Sequence, residues 1–200
     1  MASNHNERGD ISIVRGTVDD IPAVLHLLDD TVKWLVSRGN TRQWGTEPFS
    51  ENPRRAEQLR EFATTGLGLW LVKDADSTPT DQDQRSNISP ETTNGEAPGS
   101  ILGVLAVGER MSYVPPVSEP ELYVRLLVAD RRCAGKKIGT RLLEHARELA
   151  KGVGVSLLRV DCYAGDDGKL VKYYESQGFK RSDSLTLEGG WPCQVLVQHL

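Results

Sequence analysis

The sequence predicts an α/β (α+β) fold, with one mixed, mostly antiparallel central sheet of about seven strands and helices packed on its sides. Seven short segments have the apolar composition of strands, and four longer ones repeat apolar residues at helical spacing. A late strand–helix–strand unit requires a parallel crossover among otherwise antiparallel neighbours. The length of 200 residues suits a single domain, so we assign residues 1–200 to one unit.

The N-terminal part predicts one strand followed by two helices. Residues 11–15 alternate like a short strand. Apolar residues recur at helical spacing from Ile21 to Val36, and Gly39 lies where a helix C-cap is expected. A second, shorter helix is predicted over residues 52–64. The segment between the helices is irregular and has two aromatic residues.

A polar segment, residues 74–100, interrupts the apolar pattern. Its six acidic residues, one basic residue and three prolines are typical of a disordered insert. It lies between two strand-like segments, 66–73 and 101–109, so we interpret it as an overgrown strand connection. Its charge of −5, within a net −4 for the chain, leaves the other 173 residues at +1. This balance argues against a protein held on nucleic acid by bulk charge.

The part after the insert predicts alternating strands and helices. In order, we expect a strand (122–128), a glycine loop (131–137), a helix (138–152), a strand (157–162), a helix (169–177) and two final strands (179–186 and 194–199). The first of these helices is the best marked, because Ile138, Leu142, Ala146 and Leu149 recur on one face.

Signals for secretion, membrane insertion and metal binding are weak. The first ten residues lack the apolar core of a signal peptide, and no apolar stretch approaches the ~18 residues of a membrane span. Cys133, Cys162 and Cys193 are widely spaced and form no CxxC pair, which indicates neither a disulfide framework nor a zinc site. We therefore expect a cytoplasmic protein with no metal, no membrane partner and no nucleic-acid partner. The sequence leaves a homodimer open.

The strand at 122–128 leads into a turn with the features of a phosphate site. Free N–H groups at the start of the next helix, the positive end of its dipole and four cations converge there. The cations are Arg131, Arg132, Lys136 and Lys137. Gly135 permits close approach of the backbone to a pyrophosphate, and Gly139 lets the first helical turn pack against the strand. The chain has no GxxxxGK[ST] or GxGxxG motif, which disfavours an NTPase or a dinucleotide enzyme. An ordinary strand-to-helix turn with solvated cations is the competing interpretation.

A second segment favours the phosphate site over the ordinary turn. Near the end of the last predicted helix is Tyr174, four residues before Gly178 and Phe179. Together with the turn, this pattern resembles the GNAT superfamily of acyl-CoA-dependent N-acetyltransferases. In that family a Q/R-x-x-G-x-G/A loop opens a helix, and a later helix ends in a Tyr four residues before Gly-Phe. The order of elements agrees over the whole chain.

The resemblance implies acetyl-CoA as cosubstrate, held by the strand before the turn and by the turn itself. The loop aligns from Ala134 to Gly139, with Ala134 where Gln or Arg is usual and Lys137 where the first motif glycine is usual. The implied cofactor-binding residues are Leu127, Val128, Ala134, Gly135, Lys136, Lys137, Ile138, Gly139 and Thr140. A backbone N–H near Leu127 or Val128 is the implied oxyanion donor.

The implied reaction needs a proton donor and a proton acceptor. A departing thiolate, whose conjugate acid has a pKa of about 8.5, matches a tyrosine hydroxyl with a pKa of about 10, and Tyr174 is the implied donor. Tyr173 points about 100° away on the helix and is predicted to be a packing residue. Glu121, at the start of the cofactor strand, is our candidate base, with Glu119 and Glu47 as rivals. A solvated surface glutamate is the other interpretation of Glu121.

The acceptor side is predicted from the family's use of its first two helices, their connecting loop and its final hairpin. The corresponding residues are Trp34, Gln43, Trp44, Phe49, Glu188 and Trp191. The acids Glu47, Glu119 and Glu121 favour a small cationic amine as the acceptor.

We therefore expect an N-acetyltransferase that transfers the acetyl group of acetyl-CoA to a primary amine of a small molecule by direct attack in a ternary complex. Acetylation of a protein N-terminus or lysine is the nearest alternative. A non-catalytic CoA-binding or interaction module and an RNA-binding domain that uses residues 131–137 are alternatives from other classes.

Overall fold

The computed structural model describes residues 11–74 and 100–200. The predicted insert at 74–100 lies, apart from its two end residues, outside the described residues. The strands are β1 (Ile11–Arg15), β2 (Gly68–Asp74), β3 (Ile101–Gly108), β4 (Glu121–Ala129), β5 (Leu157–Tyr163), β6 (Lys180–Leu187) and β7 (Trp191–His199). The helices are α1 (Ile21–Ser37), α2 (Pro53–Thr64), α3 (Ile138–Gly152) and α4 (Lys169–Ser176). All of the predicted helices and strands are present.

The seven strands form one sheet in the order β1-β2-β3-β4-β5-β7-β6. Neighbouring strands are antiparallel except for β4 and β5, which run parallel and are connected through α3. This mixed sheet confirms the predicted fold class.

One strand differs clearly from its predicted bounds. β7 begins at Trp191, three residues before the predicted start at 194. Gly189 and Gly190 both adopt φ of +70° and close a tight turn, so Trp191 already pairs with Leu187 of β6. Residues with side chains rarely adopt such angles, which explains why the hairpin has two glycines at its tip.

The parallel pair of β4 and β5 is short. It has four residue pairs, from Glu121 with Leu157 to Val124 with Val160. Beyond that point β4 continues to Ala129 against β3 alone, and β5 continues to Tyr163 against β7 alone. The two strands therefore part in the middle of the sheet.

A β-bulge in β4 lies at the same place. Ala106 of β3 pairs with Leu126 while Val107 pairs with Val124, which leaves Arg125 as an extra residue without a partner. A bulge of this kind bends its strand and re-aims the side chain at the irregularity. The bulge thus begins where the pairing with β5 ends.

Two helix layers cover the sheet. α3 and α4 pack on one face, where Leu142 and Tyr174 belong to the larger buried cluster. α1 and α2 pack on the other, hereafter the α1/α2 face, with Leu28 and Phe62 in a second cluster. None of the helices in the described ranges is long and apolar enough to cross a membrane.

Candidate active site

The gap between the parted strands exposes backbone donors of β4. The Asp130 N–H donates to Leu102 O of β3 at 2.8 Å. Because successive N–H groups of a strand point to opposite sides, Val128 also directs its N–H toward β3, whereas Leu127 and Ala129 direct theirs toward β5. In the described part of the chain no residue of β5 pairs with β4 beyond Val124. Of the two predicted oxyanion donors, Leu127 therefore faces the gap and Val128 does not.

The turn after β4 uses two of its four cations for internal contacts. Arg132 donates to the Asp130 carboxylate, with its Nη2 2.6 Å from Oδ2. The Arg131 guanidinium stacks on the Trp34 ring of α1, 4.2 Å from its centroid. Lys136 and Lys137 are exposed and form no salt bridge with any described residue. The charge available to a phosphate thus comes from the two lysines.

The backbone of the turn has the shape that its motif requires. Gly135 has φ of +90°, with open space where a side chain would start. Lys137 adopts the left-handed conformation, with φ 54° and ψ 33°. In the family that the turn resembles, this position is usually glycine. No side chain caps the N-terminus of α3, so the N–H groups of its first turn, from Ile138 to Thr140, remain free for an anion.

Gly139 has a mechanical role that differs from the predicted one. A methyl group on Gly139 would overlap the Tyr173 hydroxyl of α4, so the missing side chain leaves room for Tyr173 and does not serve packing against the strand. The glycine that lets α3 approach the sheet is Gly103 of β3, where a Cβ would lie 2.6 Å from Ile138 Cγ2. Tyr173 is therefore the residue that joins α4 to the first turn of α3.

Tyr174 lies inside the protein, on the opposite face of the sheet from α1 and α2. It is 5% exposed and belongs to the same buried cluster as Val160 and Cys162, at the point of β5 where the parallel pairing stops. Its ring meets Phe179 edge-on at 5.8 Å between centroids. Burial raises the pKa of Tyr174 well above its usual value, so this hydroxyl is protonated at neutral pH.

Glu121 lies at the far end of the parallel pair, away from the gap. Its Oε2 accepts from Nη1 of Arg159 at 2.8 Å, and Oε1 lies 3.9 Å from Nε of Arg110. Arg159 is fully buried. The rival Glu119 lies 3.3 Å from His199, and Glu47 is exposed in the loop before α2. The structure brings none of these three carboxylates to the parted strands, and the role of Glu121 as base stays a prediction.

A carboxylate that the sequence analysis missed lies at the gap. Asp161 follows Val160, the last residue of β5 that pairs with β4. Its Oδ1 accepts from the Tyr123 hydroxyl at 2.6 Å, and its Oδ2 from the Tyr113 hydroxyl at 3.1 Å and from Cys193 Sγ at 3.5 Å. Burial, then the Asp161 charge, raises the pKa of both tyrosines. No motif marks Asp161, and only the strand register reveals its place.

The predicted acceptor residues divide into separate groups. Trp191 Nε1 donates to the carbonyls of Arg42 and Gln43, at 3.0 and 3.2 Å, and its ring lies 5.4 Å from that of Tyr163. This contact joins the loop after α1, the end of β5 and the final hairpin. Glu188 is exposed in the turn of that hairpin.

The remaining aromatic residues make contacts of their own. Trp44 and Phe49 pack against each other, with centroids 5.1 Å apart. Arg55 of α2 stacks on Phe49 at 3.8 Å. Trp34 lies by the turn after β4, against Arg131, and its place on the acceptor side stays a prediction.

Comparisons with solved structures agree with this architecture. Ribosomal-protein-alanine N-acetyltransferase from Brucella melitensis has a TM-score of 0.60 at 19% identity, with 94% of this chain and 99% of that chain covered. An agmatine N-acetyltransferase mutant in its apo form has a TM-score of 0.62 at 15% identity, covering 96% and 100%. The NatC complex bound to Gag peptide and CoA contains a chain with a TM-score of 0.56 at 11% identity, covering 96% and 99%. At such low sequence identities, the structural similarity shows a shared fold and nothing further.

The sequence itself provides the family. No curated protein is significantly similar to the chain. The family model described as Acetyltransferase (GNAT) family matches residues 30–179, three quarters of the chain. The parted strands, the glycine turn and the family match agree, and this chain belongs to the GNAT family of acetyltransferases.

Proposed function

We propose that this protein transfers the acetyl group of acetyl-CoA to a primary amine of a small molecule, by direct attack in a ternary complex. The observation that carries the proposal is the gap between β4 and β5. One side of it offers the N–H groups of Leu127 and Ala129, which face no strand among residues 11–74 and 100–200, and β4 leads from there to the uncapped N-terminus of α3. A thioester arm attached to a pyrophosphate needs such a row of donors ending in an anion site.

The residues of the turn fit coenzyme A. The first turn of α3, with Gly135, Lys136 and Lys137, would hold the pyrophosphate, and the N–H of Leu127 would donate a hydrogen bond to the developing oxyanion. The bound thioester supplies an activated acetyl group. Attack by the amine nitrogen forms the N–C bond and breaks the C–S bond, and the thiolate takes the proton of Tyr174.

The acceptor amine arrives as an ammonium and must lose a proton before it attacks. We assign this proton to Asp161, because its carboxylate lies at the gap while that of Glu121 is held by Arg159. Tyr174 is on the other face of the sheet, so donor and acceptor of protons approach the gap from opposite sides. This separation suits a reaction in which one proton leaves the amine and another reaches the sulfur.

A small molecule is favoured over a peptide as the acceptor. The contact of Trp191 with the backbone of residues 42–43 joins the loop after α1 to the final hairpin. Arg42 Nη2 adds a third hydrogen bond, to Gly190 O at 3.1 Å. An extended peptide needs an open groove, and this bridge closes one end of the α1/α2 face.

The direct test measures thiol release from acetyl-CoA over a panel of amines, with binding of acetyl-CoA measured by calorimetry. We expect turnover with at least one small amine and none with peptides of varied N-terminus. Binding of acetyl-CoA without turnover of any amine would favour a non-catalytic CoA-binding module. Faster turnover of a peptide than of every small amine would overturn the choice of acceptor.

A further inference from the structure

Two opposite charges flank the point where β4 and β5 part. Arg125 directly follows Val124 and Asp161 directly follows Val160, and these two valines are the last residues that pair. Both charged residues face the α1/α2 side of the sheet. Arg125 contacts α2, where its Cζ lies 4.5 Å from the Phe62 ring centroid. Asp161 accepts the Tyr123 hydroxyl, and Tyr123 shares a face with Arg125 because alternate strand residues project together.

These two charges do not neutralise each other. Arg125 pairs with Glu61 of α2 at 3.3 Å, and Asp161 pairs with no cation among the described residues. The Arg125 side chain is 16% exposed and its Nε is buried without a hydrogen-bond partner among those residues, whereas the Glu61 side chain is 54% exposed. A salt bridge to such an exposed carboxylate is weak, so the carboxylate of a ligand can replace Glu61 at the Arg125 guanidinium.

The Arg125 charge still acts on Tyr113, which donates a hydrogen bond to Asp161. Burial and the Asp161 carboxylate raise the pKa of Tyr113, and the Arg125 charge opposes that rise. The guanidinium and the Tyr113–Asp161 pair therefore share one electrostatic environment. The bulge explains the arrangement, since Arg125 is the extra residue of β4 at the break in its register with β3.

Two of the three acids that favoured a purely cationic acceptor are engaged elsewhere, and the third, Glu47, is exposed in the loop before α2. Glu121 is paired with Arg159, and Glu119 lies against His199. At the gap itself a polyamine would meet the Arg125 guanidinium as well as Asp161. A ligand with one negative and one positive group matches both charges.

We propose that the acceptor is an amino acid, whose carboxylate binds the Arg125 guanidinium and whose ammonium lies against Asp161. This inference rests on the proposed acetyltransferase function and narrows its acceptor. A guanidinium binds a carboxylate through two parallel N–H donors, which orients the ligand as well as holding it. Asp161 takes the ammonium proton, the amine nitrogen bonds to the acetyl carbon, the C–S bond breaks and the thiolate takes the proton of Tyr174. The nitrogen releases its second proton to water as the amide forms, and water reprotonates Tyr174.

The experiment compares each amino acid with its own α-carboxamide, which keeps the side chain and the amine but removes the negative charge. We expect wild-type kcat/KM to favour the acid by at least about 10-fold, since a hydrogen bond to a charged group contributes roughly 1.5–3 kcal/mol. Arg125→Gln should lower kcat/KM for the acids by about that factor and leave the carboxamides nearly unchanged. Arg125→Lys, which keeps the charge and loses the fork, should lie between.

Two further variants make the test specific. Glu61→Gln removes the competing carboxylate, so KM for the amino acid should fall by about 2- to 5-fold. Arg181→Gln is the matched control, because Arg181, on the edge strand β6, also pairs with a glutamate, Glu175, at 2.8 Å. This variant should leave kcat/KM unchanged for both the acids and the carboxamides. Binding of acetyl-CoA verifies that each variant is folded.

The outcomes separate this inference from the function beneath it. Absence of turnover with every amine would refute the acetyltransferase proposal. Turnover of amines with an equal or lower rate for the acids, or an acid preference that survives Arg125→Gln, would refute only the amino-acid assignment.

Discussion

The Tyr123 hydroxyl donates to Asp161 Oδ1 at 2.6 Å, and this hydrogen bond links β4 to β5 at the last step before the two strands part. Tyr123 is fully buried, so the bond fixes the carboxylate to a rigid part of the sheet. The second oxygen of Asp161 faces Tyr113, which is more exposed. The carboxylate is thus anchored at Oδ1 by a buried side chain, while Oδ2 accepts from the partly exposed Tyr113.

Asp161→Asn should lower kcat/KM by about 10²-fold or more, because proton transfer by a positioned base contributes about 10²–10⁴-fold. Steady-state kinetics with the best amine, for both proteins, measures this loss. Acetyl-CoA binding should persist, since Asp161 does not belong to the turn.

Glu121→Gln is the control for this assignment. Loss of its charge leaves the buried Arg159 without its nearest carboxylate, which should lower the free energy of unfolding by about 3–5 kcal/mol. The folded fraction should keep most of its kcat. A large loss of kcat in Glu121→Gln with normal stability would reinstate Glu121 as the base.

Tyr174→Phe should lower kcat by about 10²-fold while KM for acetyl-CoA changes little, because the hydroxyl acts on the departing thiolate. Burial raises the pKa of Tyr174, so the wild-type rate should not decline at alkaline pH from ionisation of this residue. Steady-state kinetics from pH 6 to 10 with both proteins measures this. An unchanged kcat in a folded Tyr174→Phe protein would rule out the donor role.

The local features of this fold could be predicted from the sequence, and the site features that depend on register could not. Helical spacing located α3, and the turn from Gly135 to Gly139 was found from its glycines and cations. Arg125 and Asp161 became visible only when pairing between distant strands was known, since no local pattern marks a bulge or the end of a parallel pair. Glu121 was placed at the start of β4, but its partner Arg159 comes from the neighbouring strand.

Lys137 occupies a backbone conformation that favours glycine, with φ of 54°. Lys137→Gly should therefore raise the free energy of unfolding, by about 1 kcal/mol, since the left-handed conformation costs a side-chain-bearing residue roughly 1–2 kcal/mol. KM for acetyl-CoA should rise about 2- to 5-fold, because one exposed cation is lost. Lys136→Gly is the matched control: its φ is negative, so glycine should destabilise the chain there. Equal destabilisation by both changes would contradict the left-handed turn.

His145 of α3 should make the protein acid-sensitive. Burial lowers the pKa of His145, its Nε2 is buried without a partner among the described residues, and its ring lies 4.3 Å from Trp70. The unfolded chain then binds a proton more readily than the folded one, so stability should be lost as pH falls below about 6.5. Chemical denaturation at pH 7.5 and pH 5 should show a smaller loss for His145→Gln than for wild type. Equal losses would mean that other groups cause the acid sensitivity.

Gly139 and Tyr173 should behave as a coupled pair. Gly139→Ala places a methyl group on the Tyr173 hydroxyl, and overpacking of this kind costs about 1–3 kcal/mol. Because the strain falls on the first turn of α3, affinity for acetyl-CoA should drop as well. Tyr173→Phe alone should change little, since it removes a buried hydroxyl without a hydrogen-bond partner among the described residues. In the double variant the methyl group meets ring carbon Cζ at 3.4 Å, an ordinary contact, so both stability and affinity should recover. Additive losses in this double-mutant cycle would show that the two residues do not touch and that α4 does not support the cofactor turn.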